Sequence, residues 1–250
     1  MSNLDSLDNA LARMYNRMWE ERRNFEYDFT DTFELRFEEM LRDTASFTYP
    51  FDSLRSASIR IVESDDHRIR IYWWFNPKSG TWRSYPAILQ SRNVHDQLIV
   101  QNFRIFCGEK GFPDQAFQAL YHLRDSLYLV RAGGCFSTIM PFDDVFGYVL
   151  TDTGLRFADN LFMDPEGDTL RSSLIVDQLW YFKNMEKFNN TIPFVMEYDS
   201  IAKIISWPGM KNGKTGKSMN NNVWSDRDIE PSGDTFHLRF NGTYFEPSTP

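Results

Sequence analysis

The chain has 250 residues, of which 42% are hydrophobic and 25% charged, a balance typical of a folded globular protein rather than a disordered one. Aromatic residues make up 16%, which favours β structure because aromatic side chains fit the half-buried surface of a sheet. The formal net charge is −8 and Lys and Arg are not clustered in the sequence, so we expect no nucleic-acid partner. No apolar run approaches the roughly 20 residues of a transmembrane segment, and we predict none.

The N-terminal part of the chain predicts two amphipathic helices, over residues 4–23 and 32–42. Their apolar residues recur at helical spacing and therefore share one face of each helix. The first stripe is Leu4, Leu7, Leu11, Met14, Met18 and Phe25, and the second is Phe29, Phe33, Phe37, Met40 and Leu41. We expect the pair to form a lid over one face or end of a sheet.

From about residue 46 the hydrophobic period changes from about 3.6 residues to about two, which predicts β-strands. Ile59 and Ile61 alternate with polar residues, and the pattern resumes at residues 69–73 after the turn at residues 65–67. A break at residues 76–80 and a return strand from Trp82 to Tyr85 complete a β-meander. Further strands are predicted at residues 98–106, 127–131, 147–151, 155–162, 194–198, 201–207, 237–240 and 243–246.

Two connections in this part of the chain are less regular. Residues 113–123 predict a short helix or an irregular connection. Asn241-Gly242 predicts a two-residue hairpin turn, because this pair tolerates the positive φ angles of a type I′ turn.

These elements together predict a mainly β fold: an antiparallel meander forming a barrel or a sandwich, with two N-terminal amphipathic helices. No linker rich in Pro, Gly and Ser divides the chain. We therefore expect an N-terminal helical segment, residues 1–45, packed on one antiparallel β domain, residues 46–250. Cys107 and Cys135 are the only cysteines, and either a disulfide or two buried thiols fits their spacing.

Four segments carry a succession of features: a charged turn and an Arg-Ile-Tyr-Trp strand at residues 64–74, a glycine-threonine turn at residues 78–85, a strand at residues 125–131 and a final Phe-x-Gly-x-Tyr-Phe hairpin at residues 240–245. Together they resemble a group of exported, β-rich proteins of anaerobic gut bacteria that has no established activity. The resemblance extends over most of residues 55–246, but Trp74-Phe75-Asn76-Pro77 stands where related sequences usually have an acidic or glycine turn. It implies export to the periplasm or cell envelope. Residues 1–5 lack the pattern of a signal peptide, so a cytoplasmic location stays open.

The aromatic run at residues 72–75 is the best candidate for a binding site. If Trp73 joins the core, strand alternation places Tyr72 and Trp74 on the opposite face. The N-terminal helices either cover that face or leave it as an exposed aromatic platform for a glycan or protein. The hypothetical ligand-binding residues are Trp74, Trp82, Tyr72, Tyr85, Arg70 and Arg83.

Acidic pairs give an alternative function, a carbohydrate-active hydrolase. Asp143-Asp144, and Asp164 with Glu166, lie near predicted strand ends, and glycosidases use two carboxylates about 5–10 Å apart. Gly213-Lys214-Thr215 lacks the glycine spacing of a phosphate-binding loop.

The four histidines, at positions 67, 95, 122 and 237, show no metal-ligand spacing, so we predict no cofactor and no metal. The sequence thus favours a non-catalytic, exported envelope domain that binds glycan or protein through an aromatic β surface.

Overall fold

A computed structural model describes residues 3–22, 30–79, 84–102, 116–135, 141–164, 169–177, 184, 186, 196–212, 218–219 and 229–249. In these residues the fold is mainly β, with 48% strand and 23% helix. The strands pair in antiparallel fashion, as predicted, except for one parallel pair that joins Phe162 and Phe245. Within the described residues no sheet closes into a barrel, so the barrel alternative is wrong for this part of the chain.

The two predicted helices are present as α1 (Asn3–Glu20) and α2 (Thr30–Leu41). The predicted change to strands at residue 46 is wrong. A 3-10 helix (Thr44–Thr48) and a short helix, α3 (Asp52–Ser56), come first, and the first strand begins at Arg60. The side chain of Asp8 in α1 accepts hydrogen bonds from the backbone amides of Ser53 and Leu54, at 2.9 and 3.0 Å. This contact satisfies the first turn of α3, which local alternation does not reveal.

The strands follow in chain order: β1 (Arg60–Glu63), β2 (Ile69–Trp73), β3 (Ala87–Arg92), β4 (Leu98–Asn102), β5 (Ala116–Arg124), β6 (Leu127–Cys135), β7 (Pro141–Thr151), β8 (Gly154–Ala158), β9 (Phe162–Met163), β10 (Leu170–Arg171), β11 (Ser173–Asp177), β12 (Glu197–Asp199), β13 (Ile204–Asn212), β14 (Ser218–Met219), β15 (Ile229–Phe240) and β16 (Phe245–Pro247). The front sheet has the order β1-β2-β3-β4, as the predicted meander requires. The middle sheet is β11-β7-β6-β5, with β8 paired to β7. The back sheet is β10-β9-β16-β15-β13-β12, with β14 paired to β13.

Three clusters of buried side chains join these layers. One cluster packs the helices against one face of the front sheet, where Tyr72, Trp74 and Ile88 lie. The second packs the other face of the front sheet against the middle sheet. The third packs the middle sheet against the back sheet. The middle sheet is therefore buried on both faces, and its strands carry long apolar runs. The division into residues 1–45 and 46–250 stays a prediction.

Three local predictions need correction. Residues 116–123 form most of β5 instead of a helix or an irregular connection. The return strand of the meander begins at Ala87; Tyr85 lies in the connection before it, and residues 80–83 lie outside the described residues. The last hairpin pairs Phe240 with Phe245, so its connection has four residues rather than two. The side-chain oxygen of Asn241 accepts from the amides of Thr243 and Tyr244, which stabilises this longer loop.

Candidate functional site

The predicted aromatic platform is largely core. Tyr72 and Trp74 are both 0% exposed, because α2 covers the face of the front sheet on which they lie. The ring of Trp74 meets that of Phe33 edge-on, with centroids 5.2 Å apart, and Tyr72 meets Phe37 in the same way at 5.3 Å. The sequence left two arrangements open, a face covered by the N-terminal helices or an exposed aromatic platform. For Tyr72 and Trp74 the structure shows the covered face. Neither residue offers a surface to a ligand.

Arg70 is also buried, with 3% exposure, and does not line a rim. Its Nη1 donates to the carbonyl oxygens of Ser46, Phe47 and Tyr49, at 3.3, 2.8 and 3.0 Å. A charged donor that serves three carbonyls fixes the segment after α2 onto the front sheet.

Tyr72 and Gln90 continue this buried network. The hydroxyl of Tyr72 donates to Gln90 Oε1 at 2.7 Å, and burial raises the pKa of Tyr72. The amide nitrogen of Gln90 donates to Leu41 O and to Ser46 Oγ, both at 2.7 Å. The polar atoms expected at a binding site instead hold the helical segment in place.

Tyr85 is half-buried, with its ring 5.7 Å from that of Trp73 and 5.8 Å from that of Phe75. Trp82 and Arg83 lie outside the described residues. A ligand-binding role for Tyr85, Trp82 and Arg83 stays a prediction. Cys107 also lies outside the described residues, so the choice between disulfide and thiols is still open.

The acidic pair Asp143-Asp144 lies inside β7, with exposures of 1% and 0%. Consecutive residues of a strand point to opposite faces, so the two carboxylates do not face each other across a cleft. Asp143 Oδ2 accepts from the amide of Met196 at 3.3 Å, between the middle and back sheets. Asp164 is 4% exposed, and its Oδ2 lies 3.8 Å from Nη2 of Arg171. Its predicted partner Glu166 lies outside the described residues.

A groove of about 530 Å³ runs between α1 and α2. Its floor is apolar and includes Leu7, Leu11, Met14 and Met40. Within the described part of the chain nothing indicates what would cover it, so we assign it no ligand.

A second cleft, of about 370 Å³, opens at the turn end of the middle sheet, and we call it the arginine cleft. Four of its residues form one row across four strands: Arg124 pairs with Leu127, Leu127 with Val149, and Val149 with Arg156. Directly opposed residues of antiparallel strands share a face, so two arginines flank an apolar strip. The rest of the lining is Asp125, Ser126, Ala158, Asp159, Leu161 and Thr243.

Two hairpins bring this row into register. In the β5–β6 hairpin, Asp125 adopts a φ of 45°, and its carbonyl oxygen lies 2.9 Å from Nε2 of His122. The amide of Leu150 donates to Ser126 O at 2.8 Å, which ties this turn to β7. In the β7–β8 hairpin, Gly154 has a φ of 126°, a conformation that favours glycine.

The guanidinium groups in the arginine cleft have no partner among the side chains that the structure describes. Among the described residues, no ion pair or side-chain hydrogen bond engages Arg124 or Arg156, and both side chains are exposed. Asp159 is likewise exposed and without a side-chain partner in the described part of the chain. Charged side chains therefore border the apolar floor of this cleft.

A carboxylate in the turn before β2 links the front sheet to the middle sheet. Asp66 Oδ2 accepts from the hydroxyl of Tyr128 at 2.7 Å, and Asp66 Oδ1 accepts from Ser64 Oγ at 2.6 Å. Burial on its own raises the pKa of Asp66, but these two hydrogen bonds and one from the Arg68 amide lower it below its ordinary value. The amide of His122 donates to Asp65 at 2.8 Å, so the same turn also holds β5.

No protein-family model, curated protein or solved structure matches this chain. Among the described residues, no helix is long and apolar enough to cross a membrane. The same residues contain no group of three or more His, Cys, Asp or Glu side chains placed to hold a metal ion.

Proposed function

We propose that this protein is a non-catalytic binding domain that takes a glycan in the arginine cleft. The observation that carries the proposal is the row Arg124–Leu127–Val149–Arg156, in which an apolar strip is bordered by two guanidinium groups that have no side-chain partner within the described ranges. Binding sites for small molecules combine an apolar lining with a few placed polar groups, usually within about 300–1,000 Å³. The cleft, at about 370 Å³, falls in that range.

A sugar ring matches both parts of this lining. Its C–H face packs on aliphatic side chains such as those of Leu127 and Val149. Its hydroxyl groups are donors and acceptors, and they match the donors of an arginine fork and the acceptors of an aspartate. The cleft supplies both types of polar group, with Asp125 and Asp159 beside the arginines.

Binding without catalysis is favoured over the hydrolase alternative by the placement of the acids. Asp143 and Asp144 are buried on opposite faces of β7, whereas a glycosidase needs two carboxylates that flank one bond of the substrate. Export to the cell envelope remains part of the proposal and is supported by the resemblance carried by residues 64–74, 78–85, 125–131 and 240–245. We also class the stacked front, middle and back sheets as a sandwich, because two buried clusters join them face to face.

The test is a binding measurement on a panel of immobilised neutral and acidic oligosaccharides, with titration of any hit. Arg124→Ala and Arg156→Ala should each weaken binding at least tenfold and leave the melting temperature unchanged, because both side chains are exposed. Arg13→Ala is the matched control, since Arg13 is an exposed arginine on α1, far from this row in the sequence and outside the cleft lining. Binding that survives both cleft substitutions would refute the proposal, as would a panel without any hit.

A further inference from the structure

We infer that the bound sugar carries a carboxylate, as a hexuronic acid does, and that Arg124 and Arg156 hold that carboxylate. This inference rests on the proposed glycan-binding function and specifies its ligand class.

The first argument is that neither arginine pairs with a carboxylate of the described residues, although the protein is rich in acids. The chain has 35 acidic and 27 basic residues. Some exposed arginines of the described residues have carboxylate partners, as Arg17 does with Glu21 at 2.7 Å and Arg42 with Glu38 at 3.1 Å, whereas others, such as Arg13 and Arg60, have none. Asp125 and Asp159 line the same cleft as Arg124 and Arg156, yet the described residues show no ion pair between these groups.

The second argument is the spacing of the row. Arg124 and Arg156 are separated by three strand spacings, roughly 14 Å between backbones at about 4.8 Å per spacing. Both arginines line the cleft, and its volume of about 370 Å³ leaves room for one ring-sized ligand above Leu127 and Val149. Guanidinium groups bind carboxylates through two parallel hydrogen bonds, which no neutral hydroxyl can match in strength.

The third argument separates a sugar acid from a simple anion. The lining contains two arginines and two aspartates, so its formal charge is 2 − 2 = 0. The two carboxylates repel a multiply charged anion such as phosphate. They also accept hydrogen bonds from hydroxyl groups, which a hexuronate provides and a simple carboxylate such as acetate does not.

Calorimetric titration of the intact chain provides the test, with galacturonate and glucuronate as probes and galactose and glucose as matched neutral sugars. Acetate and inorganic phosphate serve as anion controls. We expect a hexuronate to bind at least tenfold more tightly than its neutral counterpart, and its affinity to fall as ionic strength rises. Arg124→Gln and Arg156→Gln should each remove most of that preference, while Arg124→Lys should retain part of it because it keeps the charge but loses the planar fork.

The outcomes separate this inference from the function on which it rests. If neutral and acidic sugars bind equally and the arginine variants bind neither, the glycan site is supported. The proposal that the bound sugar carries a carboxylate is then wrong. If acetate or phosphate binds as tightly as the hexuronate, the site recognises a simple anion, and the proposal of a sugar acid as ligand is wrong. If no sugar binds in an arginine-dependent way, both proposals fail. Thermal melting of both glutamine variants checks that they fold.

Discussion

Trp74 behaves as a core residue, and its substitution should affect stability. It is 0% exposed and packs against Phe33 and Phe37 of α2. Trp74→Ala should therefore cost about 3–5 kcal/mol in the free energy of unfolding, as expected for a large buried aromatic side chain. In a chain of this size such a loss lowers the melting temperature by about 10 °C.

Two further variants sharpen this prediction. Trp74→Phe should cost much less, because the indole N–H has no hydrogen-bond acceptor among the described residues and none is lost. Leu35→Ala on the exposed side of α2, where Leu35 is 61% exposed, should change stability by no more than about 0.5 kcal/mol. A Trp74→Ala variant with the same melting temperature as the parent would contradict the placement of Trp74 in the core.

Tyr128 and Asp66 predict a pH-dependent contribution to stability. The pKa of Asp66 is lowered in the folded state, so the charged carboxylate stabilises the fold above the unfolded value of about 3.9. That contribution is lost as the pH falls from about 4 through the lower folded pKa. Tyr128→Phe removes a hydrogen bond to this charged group and should cost about 1.5–3 kcal/mol at pH 7.

Urea unfolding of the parent and of Tyr128→Phe at several pH values measures this effect. The difference between the two proteins should be constant from pH 7 to about pH 5 and should shrink below about pH 4. Tyr244→Phe is the control, because Tyr244 lies in the last hairpin, where its hydroxyl makes no hydrogen bond among the described residues. A difference that grows on acidification would exclude the charged Asp66 as the acceptor.

At the scale of elements, Asp8 links α1 to α3. It is 1% exposed and accepts from the first amides of α3, as a capping residue does, although it lies more than 40 positions earlier in the chain. Asp8→Ala should cost about 1–2 kcal/mol and should speed hydrogen exchange at the Ser53 and Leu54 amides. Asp52→Ala, which removes an exposed acid from the same turn, should leave the exchange of those two amides nearly unchanged.

The last hairpin makes a separate prediction about backbone conformation. Gly242 has a φ of 100°, and no atom outside its chain neighbours lies within 4 Å of the position that a Cβ would take. Gly242→Val should therefore cost about 1–3 kcal/mol through backbone strain alone. Thr243→Val, a β-branched change at the next position, should cost less, since Thr243 is not among the residues with positive φ. Equal melting temperatures for the parent and Gly242→Val would contradict this loop conformation.

The elements were predictable where one regular period dominates. The stripes of α1 and α2 follow from single-sided burial. The β1–β2 hairpin was predictable from alternation and its turn residues, although β2 is buried on both faces. β5 was missed, and its buried residues point both ways: Phe117 and Leu120 pack toward the front sheet, and Leu123 toward the back sheet. Register shifts between Phe117 and Ala119, and between His122 and Arg124, also interrupt the alternation that identifies a strand.

At the scale of the whole molecule, the candidate site depends on strand register. Arg124, Leu127, Val149 and Arg156 come from four strands and share no motif, so only the pairing of β5, β6, β7 and β8 brings them together. The aromatic run at residues 72–75 attracted attention because its composition is unusual, yet the helices need that surface for their own burial. Composition identified a large apolar area, but it did not show which layer covers that area.

The most direct test of a glycan site in the arginine cleft is backbone-amide NMR during titration with the tightest-binding oligosaccharide of the panel. We predict saturable shifts at residues 124–127, Val149 and Arg156, with the amides of Tyr72 and Trp74 unaffected. The shifts should vanish in Arg156→Ala and persist in Arg13→Ala. Shifts confined to α1 and α2, or absent from β5, β6, β7 and β8, would contradict a glycan site in the arginine cleft.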